Sequence, residues 1–190
     1  MTTANMVKTP NTVSKANTRM LVEAGLAIAI AYVLHFVVLF QMPQGGSVNA
    51  ANMVPLFIFA LRWGGKAGML TGAVYGLVAF LLGFKFSLHP LSIILDYIVG
   101  FGALGVAGFF GDSRPAAIIG SFTGCTLRWL SSVISGAVVF ASYAPAGQNP
   151  WVYSIVYNAT YMIPEMLING LVIVLFYTQI MKGINSVTKR

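Results

Sequence analysis

Charge is what this sequence has least of. Only 8% of its 190 residues are charged, where soluble globular domains carry about a quarter. A mean hydropathy of +0.81 accompanies 57% apolar residues, which excludes an ordinary soluble domain and points to a polytopic membrane protein. At about 20 residues per span, a chain of this length crosses a bilayer some five to seven times, with no room for a soluble catalytic or nucleotide-binding domain. Cysteine is nearly absent: Cys125 stands alone in an apolar stretch, so no internal disulfide can form. Histidine is limited to His35 and His89, and G-x-S-x-G, H-E-x-x-H and P-loop motifs are missing. Neither an enzyme nor an ATPase is expected, and no cofactor or metal. The basic excess, a formal net charge of +7, is not clustered with aromatics on one polar face, so nucleic acid is not an expected partner.

What is present is a series of apolar runs separated by breakers. Hydropathy predicts an all-α bundle of six transmembrane helices, roughly Met20 to Phe40, Val48 to Leu61, Ala67 to Phe84, Pro90 to Phe110, Pro115 to Ala141 and Trp151 to Met181. Pro55 inside the short second span predicts a kink. Residues 1–19 read as a flexible, uncleaved tail, 20–182 as one membrane domain and 183–190 as a second tail. When the connections are assigned alternately to two sides, Lys8, Lys15, Arg19, Arg62, Lys66, Arg114, Lys182, Lys189 and Arg190 fall on one side and only Lys85 on the other. The positive-inside rule makes both termini cytoplasmic. The connections after spans one, three and five are then external, and the first and third of them are uncharged and rich in Gly, Pro, Asn and Gln, a composition that could cap a site.

Ionisable residues inside spans are costly and are functional candidates by default. Glu23, near the cytoplasmic end of span one, can pair with Arg19. At 1.5 Å per residue, Asp96, Ser132 and Asn158 lie about 10–14 Å inward from the external ends of three different helices. Arg128 and Glu165 lie deeper, both about 20 Å in, and their equal depth predicts an ion pair. Polar and small residues recur along one face of each of these helices: Ser92, Asp96, Gly100 and Ala103; Gly124, Arg128, Ser131, Ser132, Ser135 and Gly136; Ser154, Asn158, Tyr161 and Glu165. The stripes can converge on a polar interior, although small and hydroxyl residues also serve as plain helix contacts, the better reading for Ser131 and Ser135. Asp96 is different, because no basic residue shares its depth on a neighbouring span and an unpaired buried carboxylate needs a donor or a cation. Gly64, Gly68, Gly72 and Gly76 form a ladder explained by close packing. Gly25 and Ala29 mark a small-residue face on span one, for which packing within the chain and docking of another subunit are equally open. His35 reads as a hydrogen-bonded core residue.

Three stretches, Leu95 to Phe110, Met42 to Asn49 and Ser135 to Glu165, resemble the thiamine-specific S components of energy-coupling factor (ECF) vitamin transporters, and the similarity extends over essentially the whole chain after Arg19. The resemblance implies a six-helix bundle that captures thiamine near its external face. It implies that Asp96 accepts hydrogen bonds from the aminopyrimidine, with Tyr97 beside it. Tyr153 and Asn158 match polar contacts, Gly136 matches a position whose small size admits the ligand, and Phe140 an aromatic wall. Arg128 matches a basic residue deep in the pocket, toward the hydroxyethyl end. Where the family usually has His, this chain has Ser132 in RWLSSVISG, which keeps a related pyrimidine or thiazole compound open as the ligand. The aromatics Tyr97, Phe140, Tyr153 and one of Trp129 or Trp151 suit a permanent thiazolium cation. The implied partners are a membrane T component, docking on the face of Gly25 and Ala29, and two cytoplasmic ATPases, in a prokaryotic cell membrane. From another class, an intramembrane enzyme would need Asp96 and Glu165 as a carboxylate pair, and their depths differ by about 10 Å.

Overall fold

The computed structural model describes residues 15–188, and side chains over 16–186. Helix α1 (Lys15–His35) leads into an antiparallel hairpin, β1 (Val38–Gln41) with β2 (Ser47–Asn49). Then come α2 (Val54–Trp63), α3 (Gly65–Leu82), a helical run α4 (Pro90–Phe109), α5 (Arg114–Val138) and α6 (Pro150–Thr188). Five of these helices are long and apolar enough to cross a membrane, whereas α2 has only 10 residues, a length of about 15 Å, or half the hydrocarbon thickness. The chain is therefore a multi-pass membrane helical bundle in which the expected second span is a half-length helix. The expected tails shift as well, since α1 already begins at Lys15 and α6 continues to Thr188; the first 14 residues lie outside the described region.

The bundle is helical as expected, and the short hairpin beside it corrects only the boundary at Phe40. The apolar run continues past His35, but the helix stops there, and Val38 to Gln41 pair with Ser47 to Asn49 instead. At its tip Gly45 and Gly46 have φ of +94° and +88°, a region that excludes most other residues. A Cβ at Gly46 would strike the ring of Tyr161 and one at Gly45 the ring of Phe86, so the glycines let the tip lie against the bundle. Pro55 does not kink α2: it stands in the first turn, where its missing N–H has no helical partner to lose.

Glycines set how close the helices approach. Added Cβ atoms at Gly68, Gly72 and Gly76 of α3 would collide with Ala60, the Phe101 carbonyl and the Tyr97 carbonyl, and one at Gly105 of α4 would meet the Met69 backbone. Thus α3 and α4 pack backbone against backbone, as the ladder predicts, except at Gly64. Nothing lies within 4 Å of a Cβ there; its φ of +90° makes it the joint between α2 and α3. The core around this seam holds Phe57, Tyr75, Phe101, Leu104, Ala107 and Ile173. Helix α1 is the peripheral one, with 11% of its apolar window buried against 33–44% in the other four spans.

The basic end of the bundle is tied by Glu23. Its carboxylate meets Arg19 Nε at 2.8 Å and Arg62 Nε at 2.7 Å, and accepts the Trp63 indole N–H at 2.7 Å. The pair with Arg19 is as expected; Arg62 and Trp63 extend it into a tie between α1 and α2. Arg62 also donates to Asn185 of α6 at 3.0 Å.

Candidate substrate-binding site

Helix α4 is not a regular α-helix. Ile93–Val99 forms a π-helical segment, a rare conformation that recurs at functional sites, and Asp96 lies at its centre. The wide turn is closed by the Gly100 N–H bonding to the Leu95 carbonyl, which also accepts the Ser131 hydroxyl of α5 at 2.7 Å. Ser131 thus buttresses the π segment, a helix-contact role. Ser135 does not: it and Ser92 both donate to Oδ2 of Asp96, at 2.5 and 2.8 Å. Ser132 faces the same carboxylate. Asp96 is therefore not devoid of protein donors, contrary to expectation, but all of them are neutral hydroxyls. Among the described residues no cation lies within 4.0 Å of it, the recorded ion pairs being those of Glu23.

Asp96 lines a cavity of about 260 Å³ at the end of the bundle opposite the basic residues. The structure brings Asp96, Tyr97, Arg128, Ser132, Gly136, Phe140, Tyr153 and Asn158 together in its wall. Tyr97 packs edge-to-face on Phe80 with centroids 5.2 Å apart, and Phe140, just past the end of α5, stacks on Tyr143 at 5.9 Å. Gly136 has a specific neighbour: a Cβ there would strike the Ser154 hydroxyl and come within 3.2 Å of Asn158 Nδ2. Its small size admits the polar side chains of α6 before any ligand. Asn158 is in turn held from both ends, accepting the Tyr161 hydroxyl at 2.6 Å and donating to the Ser154 carbonyl at 2.9 Å.

The hairpin closes the outer side through two tyrosines of α6. Tyr153 donates to Gln44 Oε1 at 2.6 Å, and Tyr157 donates to the Gly45 carbonyl at 2.9 Å while accepting the Gln44 N–H at 3.0 Å. The rings of Tyr153 and Tyr157 stack at 5.8 Å. Gln44, Phe84, Phe86, Phe101 and Tyr157 are lining residues that were not among the expected contacts. The turn-rich composition of the first external loop was the one signal for the hairpin; nothing in the sequence singles out Phe84 or Phe86. Trp129 and Trp151 do not reach the cavity, and Trp151 is 49% exposed.

The predicted ion pair between Arg128 and Glu165 is absent. Arg128 instead lays its guanidinium over the Phe101 ring, 3.6 Å from the centroid, with Nε and Nη1 buried and without hydrogen-bond partners. Glu165 is 1% exposed, lies outside the cavity wall and receives the Asn49 N–H. Equal depth along two helices does not make two side chains face each other. Glu165 and Asn169, whose Oδ1 accepts the Met53 N–H at 3.1 Å, hold the segment between the hairpin and α2. Asp96 and Glu165 thus serve different places, and an enzymatic carboxylate pair is not formed.

A cavity lined by aromatic and polar side chains, with one carboxylate and one cation and bordered by a hairpin at the outer end of a membrane bundle, defines a membrane protein built to hold a small polar solute. A family profile described as thiamine transporter protein matches residues 21–185. The chain belongs to that thiamine transporter family, a family of transporters rather than enzymes. It is 42% identical to the thiamine transporter ThiT of Bacillus subtilis, over 83% of this chain and 89% of the relative. It is 29% identical to the ThiT of Lacticaseibacillus paracasei, over 71% and 73%. Among solved structures, ThiT from Listeria monocytogenes superposes with a TM-score of 0.74 at 25% identity, covering 86% of this chain and 96% of that one. The S component of a bacterial ECF transporter shares the fold, with a TM-score of 0.56 at 17% identity over 91% and 99%.

Proposed function

We propose that the protein is the thiamine-binding S component of an ECF-type transporter in the prokaryotic cell membrane, with both termini cytoplasmic and the cavity open to the outside. The observation that carries this reading is Asp96: a half-buried carboxylate in a cavity wall, served by hydroxyls alone, in a chain of the thiamine transporter family. Its uncompensated charge suits a ligand that combines amino donors with a fixed positive charge. Tyr97, Phe140 and Tyr153 supply the aromatic surface for an aminopyrimidine and a thiazolium. Ser132 and Asn158 hold the polar wall, Gly136 lets α5 and α6 close on it, and Arg128 lies at the inner end beside the ligand's hydroxyethyl group. A cavity of about 260 Å³ lies just below the usual range of ligand pockets, ~300–1,000 Å³, a size for one small solute rather than a dinucleotide.

The chain performs no chemistry in this reading, and uptake draws on a membrane T component and two cytoplasmic ATPases. Docking falls on α1, where Gly25 and Ala29 lie exposed between Leu21, Leu26 and Val33. Nothing lies within 4 Å of a Cβ at Gly25. Among the described residues, none packs over this face at Gly25.

The test is titration of the purified protein with thiamine, followed by intrinsic Trp and Tyr fluorescence. Saturable quenching is expected, and Asp96→Asn weakens it at least tenfold, since a hydrogen bond to a charged group contributes about 1.5–3 kcal/mol. Quenching that does not saturate, or an unchanged affinity in Asp96→Asn, overturns the proposal.

A further inference from the structure

Of all the residues of α1, His35 alone lines the cavity. It is the last residue of that helix, at the point where the chain leaves the bundle for the hairpin. The ring is fixed on both flanks: it stacks on Tyr32 with centroids 6.2 Å apart and planes 12° apart, and meets Phe36 edge-to-face at 6.2 Å. Its backbone is fixed as well, because the His35 carbonyl accepts the Asn49 side-chain amide at 2.6 Å. Yet Nδ1 is buried and has no hydrogen-bond partner. A neutral imidazole carries one donor and one acceptor, and buried polar atoms are rarely left unfilled. His35 is thus held in place without the protein meeting its hydrogen-bonding capacity, whereas the other polar side chains of the outer wall, Tyr153, Tyr157 and Asn158, bond to protein atoms.

We infer that His35 is a ligand-contact residue: its imidazole hydrogen-bonds the captured solute, at the junction between α1 and the hairpin. The inference rests on the reading of the cavity as a thiamine site. An imidazole suits either an amino or a hydroxyl group, because its two neutral tautomers let the unfilled Nδ1 accept or donate while the ring stays in place. Its position adds a consequence that Asp96 cannot have. A ligand held by His35 touches the same helix whose outer face the described residues leave exposed, so occupancy is felt directly by α1.

The sequence provides a clean readout, since the chain contains only two histidines, His35 and His89. His89 accepts the Leu91 N–H on its Nδ1 in an exposed turn and does not line the cavity. In detergent-solubilised full-length protein labelled with ¹⁵N-histidine, saturating thiamine is expected to move the imidazole signals of His35 and leave those of His89 in place; a His35→Phe sample assigns the two. In parallel, His35→Phe, which keeps the packing against Tyr32, is expected to raise the thiamine Kd about tenfold, with His35→Gln restoring part of the loss. Unmoved His35 signals, or wild-type affinity in His35→Phe, overturn the inference and leave the thiamine reading intact. Absence of saturable binding to the unaltered protein overturns the thiamine reading itself and the role of His35 with it. Where His35→Phe does not fold, the ¹⁵N measurement on unaltered protein decides alone, with assignment from His89→Gln.

Discussion

Two serines on the same helix, four residues apart, illustrate how finely the site depends on direction. Ser131 and Ser135 are both buried and both donate across to α4, but Ser131 ends on a backbone carbonyl and Ser135 on the Asp96 carboxylate. Ser135→Ala is expected to weaken thiamine binding about tenfold, because Asp96 loses one of the hydroxyls that orient it. Ser131→Ala is expected to leave the affinity within about twofold and to lower thermal stability instead; calorimetric titration of the two variants side by side checks the contrast. Sequence alone gave both serines the same role, since spacing along a helix places them on one face and says nothing about which atom of the neighbouring helix lies opposite. The same limit explains Arg128. Rise per residue fixed its depth, level with Glu165, but the guanidinium turned onto Phe101 instead. Asp96 was legible because an intramembrane carboxylate is conspicuous whatever its azimuth.

At the scale of elements, most helices are readable because apolar runs, prolines and caps coincide. Ser113 caps α5, accepting the Ala116 N–H, with Pro115 in the first turn, and α6 begins at Pro150. The hairpin was not readable, since Val37 to Phe40 simply extends the hydrophobic run of α1, and a strand of four residues carries too little alternation to be separated from it. The π segment was hidden too, because its bonding pattern leaves no mark on hydrophobic periodicity over seven residues. Packing between α3 and α4 depends on bare backbone, so Gly76→Ala is expected to cost about 1–3 kcal/mol, the usual range for overpacking. Its Cβ would press on the carbonyl of Tyr97, the residue after Asp96. A lower melting temperature together with weaker thiamine binding is the expected pair of results. Lower stability with unchanged affinity would show that the π segment tolerates the displacement.

The whole molecule divides its surfaces by function. The cavity and hairpin occupy one end, the Glu23 tie between α1, α2 and α6 occupies the other, and α1 spans the distance with its outer face left exposed by the described residues. Composition already separated these ends through the distribution of Lys and Arg, and of the intramembrane charges Asp96 and Arg128 marked the cavity while Glu165 did not. Ala29→Trp or Gly25→Trp is expected to abolish uptake by the reconstituted transporter complex while leaving thiamine affinity unchanged. Uptake at the wild-type rate would remove α1 from the docking surface.

The π segment has one more consequence. A π turn is an α-helix carrying one residue too many, so the bearing of the site's carboxylate is fixed by a count of residues rather than by any side chain. Removing one residue between Ser92 and Asp96 would leave every cavity side chain in the protein, yet turn Asp96 by about 100° relative to the outer start of the helix. In this fold the length of a helix, as much as its composition, encodes where the binding charge points.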